Sequence, residues 1–225
     1  MECLWTMRKC MCFLPKKTSC SLQAQVDIIL GEQYGLLRPS GNRTVFTSIQ
    51  FSPLTTSKHL FAGCSDGTLS TFNLQTGQVV RRHRSNQYKV INSIDCVRGT
   101  GRELLLSAGD DGTARIWSVE TKDPIEEIEL GYPITAAKWS LDGQQVFLGG
   151  IDNAIHCYDL RKKAIAYSLM GAFICLFSLF DHSLIGCVVL GHTETVAGLS
   201  VSPSGSHLLS SSFDNTAKIW DIRPL

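Results

Sequence analysis

The chain has 225 residues, 44% of them apolar and 18% charged, which is enough apolar surface for a sizeable core and excludes a disordered chain. Its 21 basic and 20 acidic residues leave no global field that draws in nucleic acid or an anionic membrane, so any such partner has to be met locally. The 9 cysteines, an odd number without regular spacing, exclude a disulfide framework. Arg8, Lys9, Lys16 and Lys17 interrupt any secretory apolar run, so a reducing, intracellular compartment is expected.

Taken in chain order, residues 1–40 hold no complete repeat unit, and Val26 to Leu30 followed by Tyr34-Gly35 read as the remnant of a preceding one. Cys3, Cys10, Cys12 and Cys20 lie here; their spacing is wrong for zinc, whose structural ligands come as Cys pairs two to four residues apart, and no cofactor is expected. Residues 41–225 are repetitive. Ser65-Asp66-Gly67-Thr68, Asp110-Asp111-Gly112-Thr113, Ile151-Asp152-Asn153-Ala154 and Phe213-Asp214-Asn215-Thr216 share one pattern, and Phe72, Trp117, Tyr158 or Trp220 follows six residues after the Asp. The intervals Asp66 to Asp111 and Asp111 to Asp152, 45 and 41 residues, are those of propeller blades with four strands each, about 40–45 residues. In the last unit Val196 to Val201, His207 to Ser211 and Ala217 to Trp220 read as strands, with Asp-Asn as a tight turn because both residues tolerate positive φ. Glu127-Ile128-Glu129-Leu130 alternates charged and apolar residues, the pattern of an outer strand with one face in water.

These units resemble the WD40 family, whose repeat opens with Gly-His, carries Ser or Thr before the tight-turn Asp and closes with Trp-Asp. The last unit holds Gly191-His192, Ser210, Asp214 and Trp220-Asp221, and the second keeps Ser107, Asp111 and Trp117. The resemblance implies that His192, Ser210, Asp214 and Trp220 form a buried hydrogen-bond chain that fixes the blade, as Ser107, Asp111 and Trp117 do in part, with Asp66 and Asp152 as further tight-turn residues. Gly-His is missing before Val45, Val90 and Ile134, so the first three blades are expected to hold by packing alone. The implied fold is an all-β, WD40-type β-propeller with four recognisable blades, a partial ring.

Within that family, Gly149-Gly150-Ile151-Asp152-Asn153-Ala154-Ile155-His156, Asp159-Leu160-Arg161-Lys162-Lys163 and Trp220-Asp221-Ile222-Arg223-Pro224 are most similar to WD40 subunits of the spliceosomal U5 small nuclear ribonucleoprotein. That implies a nuclear, non-catalytic scaffold whose partners are proteins, the large U5 splicing factor and other spliceosome subunits. The endings Trp220-Asp221-Ile222-Arg223 and, more loosely, Tyr158-Asp159-Leu160-Arg161 also resemble substrate receptors of cullin-RING ubiquitin ligases, which makes Arg161 and Arg223 candidate partner contacts.

Three features carry other readings. Gly171 to Leu190 is nearly all apolar and long enough to cross a bilayer, but Asp181-His182 sits at its centre. Removing these residues brings the Asp152 to Asp214 spacing from 62 to 42, so the segment is expected to be an insertion that loops out of the fold. Arg81-Arg82-His83-Arg84 and Arg161-Lys162-Lys163 are the basic runs available for RNA phosphates, without interleaved aromatics for base stacking. His192, Ser210 and Asp214 name the members of a hydrolase triad, but their place in the repeat favours a structural role, and no enzyme is expected.

Overall fold

The computed structural model describes residues 26–30, 33–37, 44–54, 57–84, 89–98, 103–170, 173–177, 184–189 and 191–223, and among them the regular elements are all strands. β1 (Val26–Leu30) and β2 (Gln33–Leu37) pair with each other as a two-stranded sheet. β3 (Phe46–Phe51), β4 (His59–Cys64), β5 (Thr68–Asn73) and β6 (Val79–Arg84) make the first four-stranded antiparallel sheet, ordered as in the chain. The second sheet contains β7 (Ile91–Cys96), β8 (Leu104–Gly109), β9 (Thr113–Ser118) and β10 (Glu126–Glu129), and the third contains β11 (Ile134–Trp139), β12 (Gln145–Gly150), β13 (Ile155–Asp159) and β14 (Ala164–Leu169). β15 (Phe173–Phe177) and β16 (Leu184–Val189) form a separate pair, so the described parts of the apolar stretch are two strands. β17 (Val196–Val201), β18 (His207–Ser212) and β19 (Ala217–Asp221) complete a three-stranded fourth sheet. The four larger sheets are blades of an all-β partial propeller. In the second blade β10 is outermost, with Ile128 buried between exposed Glu127 and Glu129.

One tight turn sets each blade. The residue after its Asp has positive φ, and Gly67, Gly112, Asn153 and Asn215 fill that position at 77°, 78°, 66° and 62°, the left-handed region open to Gly and tolerated by Asn. The Asp carboxylate closes the turn by accepting the backbone N–H two residues on: Thr68 from Asp66 at 3.0 Å, Thr113 from Asp111 at 3.1 Å, Ala154 from Asp152 at 3.4 Å and Thr216 from Asp214 at 2.8 Å. This bond, rather than Gly alone, keeps the β4–β5 type of hairpin in register.

The blades stack through their inner strands, β3 on β7, β7 on β11 and β11 on β17. Each inner strand bulges at its second residue, since its ladder to the next strand shifts register between Phe46 and Ser48, Ile91 and Ser93, Ile134 and Ala136, and Val196 and Gly198. The extra residues are Thr47, Asn92, Thr135 and Ala197. The first three reach the following blade: the Thr47 hydroxyl lies between the carbonyls of Gly63 and Ile91, Asn92 Nδ2 donates to Ile134 O at 2.9 Å, and the Thr135 hydroxyl lies between the carbonyls of Gly149 and Val196. A second stitch runs back, with Ile94 N donating to Ser48 Oγ and Ala137 N to Ser93 Oγ, each at 3.2 Å. A bulge takes a backbone group out of its own ladder, and a buried group so released needs another partner; the neighbouring blade supplies it.

Apolar packing fills the space between. Phe61 and Leu69 of the first blade meet Ile91, Ile94, Leu105 and Trp117 of the second; Leu106 and Ile116 meet Ile134, Trp139 and Tyr158; Phe147, Ile155 and Cys157 meet Val196, Leu199 and Leu208. Contact is close enough that a Cβ on Gly149 would come within 2.7 Å of Val196 Cγ1. The fourth blade ends this series. Leu209 stands where Phe61, Leu106 and Phe147 stand in the others, yet it is 46% exposed against 0–1% for them, and Ile219 is 73% exposed.

Phe147→Ala is expected to cost about 3–5 kcal/mol of unfolding free energy and Leu209→Ala less than about 1 kcal/mol, read by urea denaturation; equal costs would rule out the inter-blade packing described. Thr135→Val, which keeps the shape and deletes the hydroxyl, is expected to cost about 1–3 kcal/mol by leaving carbonyls unpaired, whereas Ala197→Thr leaves the denaturation midpoint in place.

Candidate functional site

The tight-turn Asp of each blade gathers a polar cluster, and the fourth blade has the longest. There the Trp220 indole N–H donates to Ser210 Oγ at 2.8 Å, Ser210 Oγ lies 2.7 Å from His192 Nε2, and His192 Nδ1 lies 2.9 Å from Asp214 Oδ2. Donors and acceptors balance with Nδ1 protonated: Ser210, which accepts from the indole, gives its own proton to Nε2, and Nδ1–H goes to the carboxylate. Thr216, through its N–H and hydroxyl, and Thr193 N add donors to Asp214. Burial of this carboxyl works to raise its pKa, but the hydrogen bonds from Thr216, His192 and Thr193 outweigh it and hold the pKa well below the usual carboxylate range.

Ser210, His192 and Asp214 thus stand in the relay order of a hydrolase. What they can do chemically is decided by access. Ser210 is 0% exposed and its oxygen already accepts the indole N–H, so no substrate carbonyl reaches it, whereas a nucleophile must present its oxygen to the substrate. The cluster can hold the turn, the Gly191-His192 entry and β18 together.

The other blades are not held by packing alone, which corrects the sequence-based expectation. In the second, Trp117 Nε1 donates to Ser107 Oγ at 2.9 Å, while Asp111 is met by Arg115, four residues on, at 2.5 Å; Arg115 also holds Glu127 of β10 at 2.6 Å. In the third, His156, again four residues after its Asp, lies 2.7 Å from Asp152 Oδ2 and 2.6 Å from the Tyr132 hydroxyl, with Ser168 Oγ on its other nitrogen at 2.7 Å. In the first, Thr44 takes the place of His192, 22 residues before the Asp, and donates to Asp66 at 3.4 Å. The carboxyls of Asp111 and Asp152 are both pushed below the ordinary range: burial opposes this, and the hydrogen bonds from Arg115 and Thr113 in one and from His156 and Tyr132 in the other prevail.

The serine and the indole are kept or lost together. The residue ten before the aromatic is Ser107 for Trp117 and Ser210 for Trp220, but Ala62 for Phe72 and Leu148 for Tyr158. Where the ring has no indole N–H the acceptor is gone too, because a buried serine without its partner is costly. Tyr158 turns instead to Glu126 of the second blade, at 3.3 Å.

The two candidate contact arginines differ. Arg161 is exposed in the β13–β14 turn, its backbone N–H on Asp159 Oδ1 at 2.9 Å. The Arg223 guanidinium folds back on Asp221, with Nη2 at 2.5 Å and Nε at 2.9 Å. The basic run on β6 is not a uniform patch: His83 is buried against the Trp117 ring, centroids 5.0 Å apart, with burial pushing its pKa down. Lys163 is paired with Glu126 at 2.9 Å. Among the described residues no group of His, Cys, Asp and Glu is arranged to hold a metal ion; Cys3, Cys10, Cys12 and Cys20 lie outside the described residues.

The relay in the fourth blade is tested by a double-mutant cycle. Ser210→Ala strands the part-buried donor of Trp220 and the buried Nε2 of His192, and is expected to cost about 1–3 kcal/mol. In a Trp220→Phe background, which reproduces the Phe72 and Ala62 pairing of the first blade, it is expected to cost measurably less. Strict additivity of the two in unfolding experiments would exclude the shared bond.

Comparison with known proteins agrees with this architecture. The family model described as WD domain, G-beta repeat matches residues 77–118 and 184–221, the second match beginning within β16. The pre-mRNA-splicing factor cwf17 of Schizosaccharomyces pombe is 36% identical over 140 residues, 62% of this chain and 39% of that protein. The U5 small nuclear ribonucleoprotein 40 kDa protein of Dictyostelium discoideum is 30% identical over 130 residues, 58% of this chain and 35% of that protein, and Protein SPA1-RELATED 3 of Arabidopsis thaliana is 28% identical over 158 residues, 70% of this chain and 16% of that protein. The aligned region therefore spans well under half of each relative. The chain thus carries WD40 repeats at residues 77–118 and 184–221, which run from β6 to β9 and from β16 to β19.

Proposed function

We propose that this chain is a non-catalytic scaffold of the U5 small nuclear ribonucleoprotein, acting in pre-mRNA splicing in the nucleus and docking the large U5 splicing factor and other spliceosome subunits through protein contacts. The observation that carries the reading is the 36% identity to a pre-mRNA-splicing factor; the 40 kDa U5 relative supports it. The buried Ser210, whose oxygen is already taken by the Trp220 indole, fits a protein that works by presenting surfaces. On the same reading residues 1–40 stand apart from the repeats at 41–225, and the segment 171–190 is an insertion, because its removal restores the repeat spacing.

The competing reading, a substrate receptor of a cullin-RING ligase, needs Arg223 or Arg161 free to meet an adaptor; Arg223 is engaged by Asp221, whereas Arg161 is exposed in the β13–β14 turn. Affinity purification of the tagged chain from nuclear extract, with quantitative mass spectrometry, separates the two. Enrichment of the large U5 factor, unchanged by Arg223→Ala, is the expected result. Enrichment of a ligase adaptor that Arg223→Ala abolishes would replace the splicing reading.

A further inference from the structure

A cleft of about 150 Å³ opens where the inner strands of the second, third and fourth blades end, lined among others by Asp95, Arg98, Lys138, Leu141, Ser200 and Val201. Asp95, Lys138 and Ser200 hold the same place, the fifth residue of β7, β11 and β17, so the stacking of blades brings them together. The blade relays lie at the tight turns and do not use them.

The polar groups of this cleft are unevenly spent. Both oxygens of Asp95 are engaged, since Oδ1 meets Lys138 Nζ at 2.9 Å and Oδ2 accepts the backbone N–H of Trp139 at 2.9 Å. Lys138 uses one of its three donors there. Arg98 is exposed, and neither its guanidinium nor the Ser200 hydroxyl has a hydrogen-bond partner among the described residues. Two cations against one carboxylate leave a single positive charge on the lining, beside the apolar Leu141 and Val201.

From this we infer that the cleft binds the carboxylate side chain of an acidic residue, Asp or Glu, inserted by a partner protein. Size decides between side chain and cofactor: sites for whole small molecules run to about 300–1,000 Å³, several times this volume. Charge decides between carboxylate and phosphate, for one net positive charge matches a carboxylate, whereas a phosphate group carries about −1.5 to −2 and would meet Asp95 uncompensated. Leu141 and Val201 give the methylene stem an apolar bed, and Arg98 offers the paired N–H geometry that a carboxylate accepts. The inference adds a contact to the scaffold reading and does not depend on which complex the chain joins.

The test is a titration of the ¹⁵N-labelled full chain, followed by NMR, with three probes: acetyl-Gly-Glu-Gly-amide, its Gln counterpart and inorganic phosphate. A saturable shift of the Ser200 amide and the Arg98 side-chain N–H is expected with the Glu peptide, with Kd on the order of 1–10 mM, as for one isolated anchor. The Gln peptide and phosphate are expected to bind at least about tenfold more weakly, and Arg98→Ala to weaken the Glu peptide by about tenfold, the loss of a charge-assisted hydrogen bond. Ser200→Glu, at an exposed position, is expected to fill the cleft from within and abolish the response while the rest of the spectrum keeps its dispersion. Equal response to the Gln peptide, tighter binding of phosphate, no shift at all, or an unchanged Kd in Arg98→Ala would each overturn the assignment.

Discussion

The bulge at the second residue of each inner strand is the constraint on which the stacking of this molecule depends. A strand that bulges gives up part of its ladder, and the released carbonyl must find a donor in a space already packed with apolar side chains. Thr47, Asn92 and Thr135 provide it from the blade before, so each blade is complete only with its neighbour in place. Burial of Phe61, Leu106 and Phe147 supplies the bulk of the attraction between blades. The polar stitch adds the angle and offset, because a hydroxyl reaches a carbonyl from few positions.

Against that shared frame, the treatment of the tight-turn carboxylate varies from blade to blade. Four aspartates make the same backbone turn and then find four different second partners: Thr44, Arg115, His156 with Tyr132, and His192. What the site requires is a donor to a partly buried carboxylate, and the chemistry of that donor is free to change provided the accounts of its neighbours are settled. Arg115 brings a charge that Glu127 shares, and His156 brings a second nitrogen that Ser168 satisfies. A buried polar cluster is tolerated when every member has a partner, which explains why the replacements come as sets.

This also explains what was legible in the sequence. The tight turns were, because positive φ admits few residue types and Gly67, Gly112, Asn153 and Asn215 recur at a fixed step from an Asp. The relay of the fourth blade was suggested by its Gly-His and Trp-Asp ends. The partners in the other blades were not legible, because a search for histidine before the blade cannot see an Arg or His placed four residues after the Asp, where the hairpin returns it to the carboxylate. The stitch was hidden more thoroughly: Thr47, Asn92 and Thr135 look like ordinary polar residues on half-buried strands until the bulge is known. The cleft at Asp95, Lys138 and Ser200 could not be read either, since three unlike residues at one strand position carry no motif and meet only through stacking.

The open far face of the fourth blade gives the array a direction. In a linear stack each interior blade is held by two interfaces and a terminal one by a single interface, so local opening begins at an end and spreads inward. Here the first blade has its outward-facing Leu60, Ala62 and Phe72 buried, at 1–2% exposure, while the fourth presents Leu209 and Ile219 to water and has Ala197 where a stitching donor would stand. Within the described residues the β17–β19 sheet therefore has one packed face where the blade before it has two, and its backbone amides are expected to exchange with solvent sooner. Whatever covers Leu209 and Ile219 stabilises the whole stack through interfaces it never touches.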